Sequence, residues 1–156
     1  MGEPERAQRL FLDRVELEDR LGAELSFAFR HGTPLGVLLL VPEDVRAGDT
    51  RRQRAFAARL VDLVRIEDVI ARFDDRTWAV VVHGVQPASL RQLAERLCAL
   101  FLQRPRPPAT GPRTLVTIGL AVAEPRYEGE TAETLLHRAY DALERARLAG
   151  GGRVKA

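Results

Sequence analysis

The spacing of apolar residues changes several times along the chain, and each change marks an element. From about Pro4 to Arg30, Leu10, Leu17, Leu21, Leu25 and Ala28 recur at helical spacing, with Pro4 suited to a first turn and Gly32 to a stop. Residues 35–41 are apolar on both faces and are closed by Pro42, the pattern of a strand buried in the middle of a sheet. A helix is predicted over Arg51 to Val64, with Ala55, Phe56, Leu60 and Leu63 near one face, and the period then changes at Val69 to Phe73. Asp74, Asp75 and Arg76 separate that run from Thr77 to Val82, which predicts a hairpin, although Asp-Asp is a poorer turn than Asp-Gly.

Pro87 and Ser89 can open a third helix, striped by Leu90, Leu93, Leu97 and Leu100, that ends near Gln103. Arg104 to Pro112 is Pro-rich and reads as a loop, Leu115 to Val122 as a strand. Thr131 caps a last helix to Leu148, with Leu135, Leu136, Ala139, Leu143 and Ala146 inward and Gly150, Gly151 and Gly152 ending it. The order is that of an α/β sandwich, helices covering a mixed sheet, with no internal repeat.

Composition narrows the function classes. The 156 residues, 46% of them hydrophobic and with a formal net charge of +2, suit one domain with an ample core. The run Leu38 to Val41 falls far short of the ~20 apolar residues a membrane span needs. The N-terminus lacks the apolar stretch of a secretory signal, and Cys98 has no second cysteine to pair with, so a cytoplasmic protein is expected. The basic residues are 23 Arg and one Lys, interleaved with acids, a poor match to a nucleic-acid-binding stripe. His31, His83 and His137 are too dispersed for a metal site, and Cys98 reads as a small core residue.

Arg65-Ile-Glu-Asp-Val-Ile-Ala-Arg-Phe-Asp-Asp-Arg-Thr-Trp78, followed by Val80 to Val82, resembles the core of the GGDEF domain of the diguanylate cyclase family. Leu12-Asp13-Arg14, residues 35–41, Val116 to Ala121 and Leu135 to Gly150 resemble the family's other landmarks in order, so the similarity runs from about residue 10 to 154 of a single domain, 1–156. It implies a nucleotidyl-cyclase-like fold of the α+β kind, with a central, mostly antiparallel five-stranded sheet wrapped by helices.

Joining two GTP molecules needs a divalent ion held by carboxylates against the triphosphate. The resemblance puts Val41 and Arg76 where the family supplies those carboxylates, Thr77 at the neighbouring acid, Asp74 and Asp75 in place of the turn glycines, and Trp78 in place of the signature Phe. It also implies a guanine-reading Asn and Asp between the first strand and second helix. Here Val45 to Arg51 is several residues shorter, and the chain has no Asn. Arg147 falls where the family offers a phosphate-binding Lys, and with Arg76 it is the one counter-argument for nucleotide at this face. A degenerate, catalytically inactive domain without catalytic residues, metal or cofactor is expected. Asp74 and Asp75 serve as turn residues, and Trp78 as a buried strand aromatic.

A second motif is in register. Family members carry a product site, Arg-x-x-Asp, five residues before the signature, and Arg65-Ile66-Glu67-Asp68 stands there, with Arg96 at the place of a further Arg. An Arg fork can bond the O6 and N7 edge of guanine, and a carboxylate can accept from its N–H groups. The resemblance thus implies a cyclic di-GMP receptor in bacterial second-messenger signalling, with a protein partner and a ligand-dependent homodimer, and without nucleic acid or membrane. Two alternatives stand beside it: Arg65 and Asp68 as a surface ion pair, and a nucleotide-independent interaction module of the same fold.

Overall fold

The computed structural model describes residues 11–105, 113–125 and 129–156. Among them the elements run α1 (Arg14–His31), β1 (Leu35–Pro42), α2 (Thr50–Leu63), β2 (Val69–Arg72), β3 (Trp78–His83), α3 (Pro87–Phe101), β4 (Val116–Ala123), α4 (Ala132–Leu148) and β5 (Val154–Lys155). The sheet order is β2-β3-β1-β4-β5, antiparallel except for the β4–β5 pair.

Strand side chains alternate between faces, and the alternation sorts the core into two halves. Val37, Leu39, Val41, Ala71, Val81 and Ala121 pack under α1 and α4. Leu38, Leu40, Ile70, Val80, Ile118 and Leu120 pack under α2 and α3. β1, flanked by β3 and β4, is buried at every position, as its doubly apolar sequence requires. Gly119 lets α4 approach β4 closely, because a Cβ there would lie 2.2 Å from the Leu143 nitrogen.

Three features differ from the sequence expectation: one boundary, one helix face and one strand. The first helix begins at Arg14, behind a capping box in which the Asp13 carboxylate accepts from the Glu16 N–H and the Glu16 carboxylate from the Asp13 N–H. Leu12 lies outside it, bridged in parallel to Ala71, while Pro4 to Leu10 fall outside the described residues. In α2 the inward set is Gln53, Phe56, Ala57, Leu60 and Val61, and Ala55 is exposed. β5, two residues after three glycines, is too short to leave a periodic signal. Most of the Pro-rich loop, 106–112, lies outside the described residues.

Candidate functional site

β2 is four residues long, so the turns at its two ends bring both sequence motifs close together. The first turn closes on itself. The Arg65 N–H donates to Asp68 Oδ2 at 2.9 Å, and the Asp68 N–H donates to the Arg65 carbonyl at 3.1 Å. Asp68 is 3% exposed, so its carboxylate is held inside the turn. Its carboxylate holds the backbone that carries Arg65 out of α2. Arg65, Ile66 and Glu67 are exposed. Arg96 is exposed on α3, which covers the same sheet face as α2. Among the described residues no hydrogen bond or ion pair engages either guanidinium. The fold therefore joins Arg65 and Asp68 directly and puts Arg96 in the same helical layer without a bond to them.

The second turn is also closed by an aspartate: Asp74 Oδ1 accepts from the N–H groups of Arg76 at 2.9 Å and Thr77 at 2.8 Å. A side-chain acceptor thus does what turn glycines do by conformation, and among the described residues no non-glycine residue adopts positive φ. Here two neighbouring arginines, Arg72 and Arg14, are engaged internally. Arg72 donates to Gln53 Oε1 at 2.8 Å and to the Asp75 carbonyl, and lies 4.4 Å above the Trp78 ring. Trp78 is 6% exposed and donates from Nε1 to the same Gln53 oxygen at 2.9 Å. Arg14 sits 3.9 Å over the Phe73 ring and donates to the Phe73 carbonyl at 3.3 Å. Arg76 keeps a partly exposed side chain, and Thr77 is buried.

Beside this turn, Val41 is buried and pairs with Thr117. Two residues on, Glu43 Oε1 lies 3.2 Å from Arg147 Nε, an ion contact without hydrogen-bond geometry, and Glu144 lies 3.8 Å from Arg147 Nη1. Arg147 is thereby flanked by two carboxylates. The Tyr140 phenol, stacked 5.9 Å from Phe73, is pushed above its ordinary range by Glu144, by burial and by Asp74. Asp49, between β1 and α2, caps α2 by accepting from the Arg52 N–H.

Sequence reasoning missed Gln53 and Arg59. Gln53 is 4% exposed inside an Arg-rich helix, where an amide reads as surface. Arg59 donates to the carbonyls of Leu100, Phe101 and Gln103, ending α3. His83 ends β3 against Glu24, His31 stacks on Phe27 and His137 faces Asp141. The half-buried Cys98 thiol donates to the Val116 carbonyl, and burial, with Glu95, pushes its pKa up to about 11. Among the described residues no helix is long and apolar enough to cross a membrane.

The family model for the diguanylate cyclase GGDEF domain matches residues 47–153. The response regulator PleD of Caulobacter vibrioides is 32% identical over 102 residues, 65% of this chain and 22% of PleD, so the chain spans about a fifth of that curated relative. The GGDEF domain of DgcB from Caulobacter crescentus, solved in complex with c-di-GMP, superimposes with a TM-score of 0.76 at 18% identity, covering 94% of this chain and 88% of that one. The FimX GGDEF domain from Pseudomonas aeruginosa gives 0.74 at 19% identity, covering 94% of both chains.

Proposed function

The chain belongs to the diguanylate cyclase GGDEF-domain family, and from that premise we propose that it is a cytoplasmic cyclic di-GMP receptor without cyclase activity, binding ligand through Arg65 and Arg96 with Asp68 fixing the turn. One observation supports this: among the described residues nothing engages the exposed guanidinium groups of Arg65 and Arg96, whereas Arg14 and Arg72 at the signature face are hydrogen-bonded within the chain and Arg147 is ion-paired there. An anionic dinucleotide recruits cations that can turn toward it. A triphosphate at the other face meets Asp74, Asp75, Glu43 and Glu144.

The burial of Asp68 alters the expected role of that residue. With Oδ2 already accepting the Arg65 N–H, it acts chiefly by presenting Arg65. The same observation favours the second reading, a nucleotide-independent interaction module in which the pair is purely structural. Isothermal titration with cyclic di-GMP separates the two. A receptor binds, and Arg65→Ala weakens binding; no binding at high micromolar ligand leaves the module. In parallel, GTP with magnesium or manganese is expected to give no cyclic di-GMP, and turnover that co-purifies with the protein would overturn the inactive assignment.

A further inference from the structure

Two helices are charged with their dipoles and one against. α1 has Glu16 in its first turn and Arg30 and His31 in its last, and α4 has Glu133 and then Arg145 and Arg147. α2 runs the other way: its first turn holds no acid, its last no base, and Arg51 and Arg52 stand at its start with Arg54 close behind. Cations there meet the positive end of the dipole and one another, so the arrangement works against the fold.

Little inside the chain relieves it. Arg52 donates to the Asp44 carbonyl at 2.9 Å. The neighbouring acids are engaged by backbone: Asp49 Oδ1 accepts from the Arg52 N–H at 3.1 Å, and Asp44 Oδ1 from the Leu115 N–H at 3.2 Å. Arg46 joins the group, because its carbonyl accepts from the Asp49 N–H at 3.0 Å and from Gln53 Nε2 at 3.3 Å. Arg46, Arg51 and Arg54 are exposed, and among the described residues no hydrogen bond or ion pair engages their side chains. Arg51, Arg54, Ala55 and Ala58 form one solvent-facing stripe about 10 Å long, its second half no bulkier than methyl groups.

We propose that this stripe docks an acidic segment of a partner protein, a helix rich in glutamate or aspartate, whose carboxylates meet Arg46, Arg51 and Arg54 while its backbone lies against Ala55 and Ala58. A guanidinium fork matches a carboxylate in two parallel hydrogen bonds. The alanines let a second helix approach closely. Nucleic acid fits less well, because the one aromatic residue of α2, Phe56, is buried and offers no base a stacking face. Three arginines over about two turns also match a short peptide better than a run of phosphates. The contact uses neither nucleotide nor Arg65 and Arg96, so it stands or falls independently of the receptor reading.

Fluorescence anisotropy with a labelled alanine–glutamate peptide of about 16 residues, its glutamates at three- and four-residue spacing, tests it. Half-saturation is expected on the order of 100 μM protein, weakening as salt rises toward about 0.5 M. Arg51→Glu with Arg54→Glu should weaken binding at least about tenfold and raise the melting temperature, since the dipole then favours the charges. That opposition excludes misfolding as the cause. Arg54→Glu alone should weaken binding severalfold, whereas Arg30→Glu, which changes the net charge equally at the end of α1, should leave it near the parent value. No binding by about 1 mM protein overturns the proposal, as do binding indifferent to the paired substitution and a doubly substituted protein that melts below the parent. A single-stranded oligonucleotide of equal charge bound more tightly than the peptide overturns it too, and would give the face to nucleic acid.

Discussion

The turns at the two ends of β2 are built alike and equipped differently. Each is closed by an aspartate side chain that accepts from backbone N–H groups, Asp68 from Arg65 and Asp74 from Arg76 and Thr77. Each carries an arginine, Arg65 in the first and Arg76 in the second. Arg65 is exposed, as is Arg96 on α3, and among the described residues nothing engages their guanidinium groups; beside Asp74, Arg76 is partly exposed, but Arg14 and Arg72 are held by carbonyls, by Gln53 and by the faces of Phe73 and Trp78. What distinguishes a candidate ligand site from a structural turn is therefore whether its cations already have acceptors, and the number of arginines does not reveal that.

The largest expected effect breaks the comparison at its centre. Arg65→Ala removes a charge-assisted contact to the ligand and should cost about 1.5–3 kcal/mol, roughly ten- to a hundredfold in cyclic di-GMP affinity. Its melting temperature should stay at the parent value, since only the Arg65 main chain takes part in the turn. Arg76→Ala should leave binding unchanged. Titration calorimetry of both variants checks the contrast, and equal losses would erase it.

Stability should show the reverse ranking. Gln53→Met removes the oxygen that accepts from both Arg72 and Trp78, leaving the Trp78 N–H buried without that partner, at a cost of about 1–3 kcal/mol. Asp68→Ala should cost a similar amount by stranding the Arg65 N–H, and weaken ligand binding through disorder of the turn. Asp68→Asn keeps an acceptor oxygen, so most of the stability and part of the binding should remain. Urea denaturation beside calorimetry measures both. A Gln53→Met protein as stable as the parent would mean the signature turn stands without its amide.

These residues also mark how far the sequence could be read. The strand at Leu35 to Val41 announces its central place because both faces are apolar, and Thr131 announces α4 because a hydroxyl before a helical stripe has one common use. The Arg65 and Asp68 spacing was visible as a motif, but the burial of Asp68 was not, since it depends on how α2 delivers the chain to β2. Gln53 left no signal at all: its role arises from Arg72 and Trp78, 19 and 25 residues away. Glu43 was overlooked for the same reason, its partner Arg147 lying on a helix at the far end of the chain. Periodicity reports which face of an element is buried, and it is silent on which polar groups meet across elements.

A smaller effect sharpens the ligand side. Arg96 lies in the same layer as Arg65 but outside its turn, so Arg96→Ala should weaken cyclic di-GMP binding less than Arg65→Ala. If it meets a phosphate, its contribution should fall as salt rises toward about 1 M, where screening shortens to roughly 3 Å. A deficit that persists unchanged at high salt would instead indicate a directed contact to a base.

The smallest expected effect concerns how α1 holds the hairpin at both ends. Arg14 grips the signature turn, and Glu24, bonded to Arg20 and His83, grips the far end of β3. Burial alone would raise the Glu24 pKa, but the hydrogen bonds from Arg20 and His83, with their charges, outweigh it and lower it below 4.5. A carboxyl whose folded pKa lies below its unfolded value adds stability that is fully present above the unfolded pKa and is lost as pH falls through the folded one. The parent should therefore lose stability relative to Glu24→Gln as pH falls below 4.5, while above it the parent should be the more stable of the two. The gap between their urea midpoints, followed from about pH 7 to about pH 3, measures this one group free of the other carboxylates common to both proteins. A gap independent of pH would show that the Glu24 charge does not hold the hairpin, and would leave Arg14, at the signature turn, as the polar tether between α1 and the strands.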